Sequence, residues 1–177
     1  GLYHSEKVTF FAYLIALKEE LTELDKEILL DAAKYHDIGR QYDNEDTMHG
    51  FISTRKLQFL ETKEIYQNPI NQKLLKAIIE GHSLDDRKKR IVFDNYELEE
   101  QYYDRFNKLY NILKDADALD RMRFEKTMSC ILDEKFLRIP YSKKLIDLSK
   151  HINDQYKDHI DNENKEQILK ELANNEE

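Results

Sequence analysis

Apolar residues recur along this 177-residue chain at intervals of three, four and seven, the spacing that places side chains on one face of an α-helix. Val8, Phe11 and Ile15 form one such stripe, and Leu75 and Ile78 belong to another. Only four Gly and two Pro residues interrupt the pattern, which favours long helices over a turn-rich β fold. The sequence therefore predicts an all-α domain, a bundle of about five to seven helices.

Residues that start or stop helices give approximate limits for these elements. Asp25 is expected to cap the second helix and Gly39 to end it, and Pro69 suits the first turn of the fourth. The mixed-charge run Ser83–Asn95 is predicted to be a solvated loop, with a lid or a substrate-contacting insertion as the alternative. The other predicted helices are Tyr3–Glu20, Thr47–Glu61, Tyr96–Met128 and, after Pro140, Ser142–His159.

Length and charge limit the possible organisation and partners. We expect residues 1–160 to form one domain and the polar residues 161–177 to form a C-terminal tail. The net charge of −8 argues against binding to nucleic-acid polymers, which requires a basic face, but it is compatible with a small phosphorylated substrate. No run of about 18 apolar residues predicts a membrane span. The single cysteine, Cys130, is expected in or near the core, and its isolation fits a reducing cytoplasm.

Polar residues of the metal-ligand type interrupt the apolar stripes. A single histidine on such a face is most often a hydrogen-bonded core residue, but several independent coincidences explain this pattern poorly. Burial of so many polar groups is costly unless each gains a bonding partner, and a metal ion is the simplest common partner. His151 and His159, by contrast, lie in polar sequence and are expected on the surface. The candidate ligands are His4, the adjacent pair His36 and Asp37, His49, His82 and Asp117.

The segment from His36 to Arg40, His-Asp-Ile-Gly-Arg, together with an upstream histidine and a downstream aspartate, resembles the HD-domain metal-dependent phosphohydrolase superfamily. The resemblance covers about residues 1–125 and implies an HD-type helical bundle around a metal pocket. It also implies that His4, His36, Asp37 and Asp117 hold a first metal.

Three aspartates compete for the last ligand position. Asp117 is preferred over Asp115 because it occupies the Ala-Asp-x-Leu position of the family and shares a helix face with Leu113. Asp120, one turn further on, is the next candidate.

His49 and His82 are additional to the minimal four-ligand pattern and resemble the extra histidines of the binuclear branch, in which the motif aspartate, here Asp37, bridges two metals. The chain lacks the Gly-Tyr-Pro segment of the HD-GYP phosphodiesterases and the paired histidines of the CRISPR-associated HD nucleases at His82. It is more similar to the bacterial diadenosine tetraphosphate hydrolases, through His49-Gly50, a single His82 and the Asp117 segment.

The resemblance implies two divalent ions, for which imidazole and carboxylate donors without thiolate suit Mn, Fe, Ni, Mg or Zn. A water activated by these metals would attack phosphorus in a phosphoester or phosphoanhydride of a small nucleotide-like molecule. Asp37 and Asp117 would be catalytic as ligands, and Arg40 would stabilise the developing phosphoryl charge. Arg40 could instead cap its helix, and Lys7 and Arg121 are weaker candidates for the cation.

Two other functions remain open at this stage. A di-iron oxygenase of the same superfamily would use a similar ligand set, and a non-catalytic sensor module would keep the site for ligand binding. Metal analysis and an oxygen-uptake assay distinguish the first from a hydrolase.

Overall fold

The computed structural model describes residues 2–41, 46–121 and 132–155, and the regular secondary structure within these ranges is entirely helical. The prediction of an all-α fold is confirmed. The described residues form the helices α1 (Leu2–Lys18), α2 (Glu23–Tyr35), α3 (His49–Arg55), α4 (Pro69–His82), α5 (Lys89–Asn95), α6 (Tyr103–Leu119), α7 (Pro140–Lys144) and α8 (residues 146–155).

The long helices α1, α2, α4 and α6 pack against one another and enclose the core. The predicted stripes face inward, because Val8, Phe11 and Ile15 of α1 and Ile78 of α4 are fully buried. Tyr110 of α6 is the largest of the fully buried side chains. Helix α3 lies against α4, and α7 contacts both α1 and α6. No helix among the described residues is long and apolar enough to cross a membrane.

The start of α2 differs from the prediction. Thr22 is the N-cap, and its side chain accepts a hydrogen bond from the Asp25 backbone N–H at 3.2 Å. The Asp25 carboxylate instead accepts a hydrogen bond from Arg105 Nε of α6 at 2.7 Å. The helix ends at Tyr35, so Gly39 lies in the turn that follows and does not terminate the helix directly.

The prediction of a loop over residues 83–95 is wrong for its second half, which forms α5. Val92 and Phe93 of α5 are buried, and the Phe93 ring contacts core rings of α6. The charged residues are not simply solvated, because Lys89 Nζ donates hydrogen bonds to Asn107 and Asn111 of α6, both at 2.8 Å. Burial of two apolar residues and pairing across the fold therefore stabilise a helix here.

Two further helices are shorter than predicted. The helix expected over Thr47–Glu61 stops at Arg55, and the chain continues in a 3-10 turn over Gln58–Thr62. Helix α6 begins at Tyr103 and not at Tyr96. Glu97 adopts a left-handed backbone with φ of 50°, which interrupts the helix, and Glu100–Tyr102 form a 3-10 turn before α6.

The predictions for the C-terminal part of the chain lie partly within the described residues. Pro140 lies at the start of α7, where its missing N–H is tolerated, and α8 follows after one residue. The predicted helix end at Met128, the expected core position of Cys130, His159 and the tail 161–177 lie outside the described residues.

Candidate metal centre

The ends of separate helices carry the predicted ligands to one place. All four histidines are buried, with at most 7% of their surface exposed, whereas His151 is exposed as expected. His4 lies in the first turn of α1, His36 and Asp37 directly follow α2, His49 begins α3, His82 ends α4, and Asp117 lies in the last turn of α6.

Two groups of possible ligand atoms share one aspartate. His4, His36 and Asp37 form the first group, and Asp37, His49 and His82 form the second. In each group, one possible ligand atom from every residue lies within 4.8 Å of the others. Asp37 belongs to both, which is the arrangement expected of a carboxylate that bridges two metals.

Asp117 adjoins the first group. Its Oδ1 lies 3.3 Å from His4 Nε2 and 3.8 Å from His36 Nε2. The structure thus brings Asp117 to the side of the centre that the resemblance assigns to it. Asp115, two residues earlier, does not approach these rings and has a different role described below.

One carboxylate oxygen of Asp37, Oδ1, is buried and accepts no hydrogen bond from the described residues, although imidazole nitrogens surround it. Asp37 Oδ1 lies 3.2 Å from His49 Nε2, 3.5 Å from His82 Nε2 and 3.8 Å from His36 Nε2. A buried carboxylate oxygen without a hydrogen bond is costly. A cation among these nitrogens would satisfy it.

Hydrogen bonds at the opposite ring nitrogens indicate how the histidines are protonated. A carbonyl oxygen can only accept, so a neutral ring that bonds one through Nδ1 carries its hydrogen there and leaves a lone pair on Nε2. Three rings make such a bond to the carbonyl three residues earlier, namely His36 to Ala33, His49 to Asp46 and His82 to Ile79.

The Nε2 lone pairs of His49 and His82 face one another at 2.9 Å, and the Nε2 lone pair of His36 faces His4 Nε2 at 3.2 Å. Two lone pairs at such distances repel unless a proton or a cation lies between them. The donor set of imidazole and carboxylate without thiolate therefore fits divalent metals such as Mn, Fe, Ni, Mg or Zn.

His4 is oriented by a side chain and not by a backbone carbonyl. Its Nδ1 lies 2.6 Å from Asp120 Oδ2, and Lys7 Nζ lies 2.7 Å from the other oxygen, Oδ1. Asp120, the second candidate for the last ligand position, therefore faces the Nδ1 side of His4, away from the candidate metal position. Lys7, a weaker candidate for the substrate-binding cation, lies on this same side.

The surroundings of His4 and His36 shift the pKa values of these two rings in opposite directions. Burial lowers the pKa of His4, but hydrogen bonds to Asp117, Asp120 and Asp37 outweigh this and raise it to about 10. Burial lowers the pKa of His36 to about 4, so this ring is neutral near pH 7. Burial raises the pKa values of Asp37 and Asp117, but contacts with the histidines outweigh it and hold both well below the usual range. Both carboxylates are therefore ionised.

Arg40 lies beside the shared aspartate. Its Nη1 is 3.6 Å from Asp37 Oδ2, and about a third of its side chain is exposed, at 32%. The guanidinium can thus contact both the centre and a molecule arriving from solvent. Arg121, the other arginine considered from sequence, is exposed, and its role stays a prediction.

A close backbone approach connects the two segments that carry Asp37 and His49. A Cβ placed on Gly39 would lie 2.4 Å from Ser53 N, 2.7 Å from His49 O and 2.8 Å from Ile52 C. Ser53 Oγ also donates to His36 O at 2.5 Å and accepts from Gly39 N at 2.9 Å. The turn after α2 is thereby held directly against α3.

A second polar cluster, centred on Asp115 and Asp86, contacts the turn after His82. The fully buried Asp115 accepts hydrogen bonds from the backbone N–H groups of Arg138 and Ile139 at 2.9 and 2.8 Å. Arg138 Nη2 and Lys114 Nζ pair with Asp86 at 2.7 and 2.8 Å. This cluster joins α6, the segment before α7 and the 3-10 turn after α4.

The HD-domain family model matches residues 1–122 of the chain, which include α1 to α6 and all six predicted ligands. The chain belongs to the HD-domain family. Members of this superfamily are mostly metal-dependent hydrolases, and the histidine and aspartate groups of this HD domain could hold a metal. No curated protein and no solved structure matches the chain.

Proposed function

We propose that this HD-domain protein is a metal-dependent phosphohydrolase that cleaves a phosphoester or phosphoanhydride bond of a small nucleotide-like substrate. One observation carries the proposal. The Nε2 atoms of four buried histidines converge on Asp37, while the Nδ1 atom of each ring is engaged by an oxygen atom. A ring whose Nδ1 is held by an oxygen atom is oriented to present Nε2 to a metal, and this arrangement supports a metal centre around Asp37.

Two metal positions are proposed because Asp37 belongs to both ligand groups. Bound divalent ions would lower the pKa of a coordinated water and neutralise charge on the phosphoryl group. The proposed ligands are His4, His36, Asp37 and Asp117 for one ion and Asp37, His49 and His82 for the other.

The protein's own residues would supply charge and orientation. The carboxylates of Asp37 and Asp117 are ionised and can hold cations without first losing a proton. Arg40 lies at the solvent-facing edge of the group, where its planar donors could pair with two phosphoryl oxygens. The net charge of −8 supports a small phosphorylated substrate over a nucleic-acid polymer.

The decisive experiment is a phosphate-release screen over nucleotides, dinucleotides and cyclic dinucleotides, with Mn, Mg, Ni, Fe and Zn added separately. We expect release with at least one pair of metal and substrate, and its loss in Asp37→Ala. The control is His151→Ala, which removes an exposed histidine outside the centre and should behave as wild type. Metal-loaded protein that releases no phosphate, or that consumes oxygen with iron instead, would contradict the proposal.

A further inference from the structure

Helix α8 lies outside the residues that the family model matches. It nevertheless contacts Lys7, which pairs with the carboxylate that orients the proposed ligand His4. Asn153 Oδ1 of α8 accepts a short hydrogen bond from Lys7 Nζ of α1. Lys7 Nζ lies 2.7 Å from Asp120 Oδ1, and Asp120 Oδ2 lies 2.6 Å from His4 Nδ1. All four side chains are buried. A continuous polar chain therefore runs from α8 to the ring of His4.

The amide of Asn153 is held in one orientation. Its Nδ2 donates to the Ser149 carbonyl at 3.0 Å, and because a carbonyl only accepts, Oδ1 must face Lys7. Ser149 Oγ in turn donates to the carbonyl of Leu119 at 2.7 Å, directly before Asp120. Helix α8 is thus hydrogen-bonded both to the end of α6, at Leu119, and to Lys7, which pairs with Asp120.

We propose that Asn153 is a positioning residue for the candidate metal centre, acting through Lys7 and Asp120 on His4; this inference rests on the proposed metal-dependent function. A buried ammonium needs acceptors for its donors, and Asn153 supplies one of them. Without that oxygen, Lys7 is held less firmly at Asp120, and the carboxylate orients His4 less firmly. The ring of His4 then meets the metal in a wider range of orientations.

The effect should be confined to one ligand group. His36, His49 and His82 are oriented by backbone carbonyls that do not involve α8. Loss of an outer hydrogen-bonding partner typically weakens metal binding about tenfold to a hundredfold. Because Asn153 acts through two intermediate residues, we expect an effect of about tenfold, at the lower end of this range.

Calorimetric titration with Mn²⁺ compares wild type with three variants of α8. Asn153→Ala removes the oxygen that faces Lys7 and should weaken one binding step about tenfold, leaving any second step unchanged. Asn153→Asp keeps the oxygen that faces Lys7 but loses the donor to Ser149, and should bind Mn²⁺ more tightly than Asn153→Ala. The control is Ile152→Ala, which removes half-buried apolar packing from the same helix without touching Lys7. It should lower the melting temperature but leave the affinity for Mn²⁺ unchanged.

A second measurement is independent of metal. In the metal-free protein, the Nδ1 proton of His4 should give a downfield NMR signal from its bond to Asp120, and this signal should shift in Asn153→Ala. If that variant does not fold, Asn153→Ser provides the same test, since its shorter side chain does not extend to Lys7.

Three results would overturn the inference. The first is that Asn153→Ala binds Mn²⁺ as tightly as wild type. The second is that Ile152→Ala weakens Mn²⁺ binding as much as Asn153→Ala does. Either result leaves the proposed function standing. In the third, wild type binds neither Mn²⁺ nor another divalent ion, and the proposed function fails together with the inference.

Discussion

A single added methyl at Gly39 should push apart the two segments that carry the ligand groups. A Cβ there would lie 2.4 Å from Ser53 N, about 1 Å short of the 3.4 Å at which ordinary contact begins. The nearest atoms belong to the backbone of α3, so no side-chain rotation relieves the overlap. Gly39 does not have a positive φ, and the cost of Gly39→Ala is therefore steric. The turn after α2 and helix α3 must separate by roughly 1 Å.

This displacement should affect function more than folding. Overpacking of this kind costs about 1–3 kcal/mol of stability. A misplacement of about 1 Å at reacting groups costs about a hundredfold in turnover. We expect Gly39→Ala to stay helical by circular dichroism, to bind Mn²⁺ more weakly in calorimetry and to lose most phosphate release. The control is Ile38→Ala, which changes a 39% exposed neighbour in the same turn and should retain both properties. A folded Gly39→Ala variant with wild-type metal affinity and turnover would refute the steric argument.

Other changes test separate parts of the site. Arg40→Ala should lower kcat about a hundredfold to a thousandfold at full metal occupancy, with partial recovery in Arg40→Lys; unchanged kcat would rule out the role in charge stabilisation. Asp37→Ala should abolish binding of both metals by elemental analysis, whereas the double variant His49→Ala, His82→Ala should lose mainly one metal and at least about tenfold in turnover. Full activity of that double variant with one metal would make the two histidines structural. Burial raises the pKa of Asp86, but hydrogen bonds and ion pairs with Lys114 and Arg138 outweigh this and lower it. Its stabilisation is thus present above the unfolded pKa of about 3.9 and is lost as pH falls through the lower folded pKa. Asp86→Asn should reduce the acid sensitivity of the free energy of unfolding in this range, and an unchanged pH profile would disprove this contribution.

Periodicity in the sequence predicted the long helices because their buried faces extend over several turns. It failed for α5, in which only the adjacent pair Val92 and Phe93 is buried. Whether two apolar neighbours are buried depends on residues far along the chain, here the rings of α6. The prediction of Asp25 as the N-cap of α2 was wrong for the same reason. Both Thr22 and Asp25 are good caps, and Arg105, eighty residues later, pairs with Asp25.

The candidate site shows a similar limit. The positions of the histidines on apolar stripes predicted which rings the structure brings together. Spacing could not separate the roles of Asp117 and Asp120, because residues three apart share a helix face. Only the structure shows that Asp117 faces Nε2 of His4 while Asp120 faces Nδ1. The involvement of Asn153 had no signal in the sequence pattern, since it depends on the packing of α8.

The hydrogen bonds at Nδ1 divide the proposed ligands by their tolerance of mutation. For three rings, the acceptor is a main-chain carbonyl three residues earlier, and every amino acid supplies that atom. Substitutions at those acceptor positions can accumulate without changing how the rings are presented. His4, in the first turn of α1, bonds instead to the side chain of Asp120. In a deep mutational scan, the acceptor of His4 should therefore be intolerant of substitution, while the residues that supply the other three acceptors should vary as freely as their packing permits.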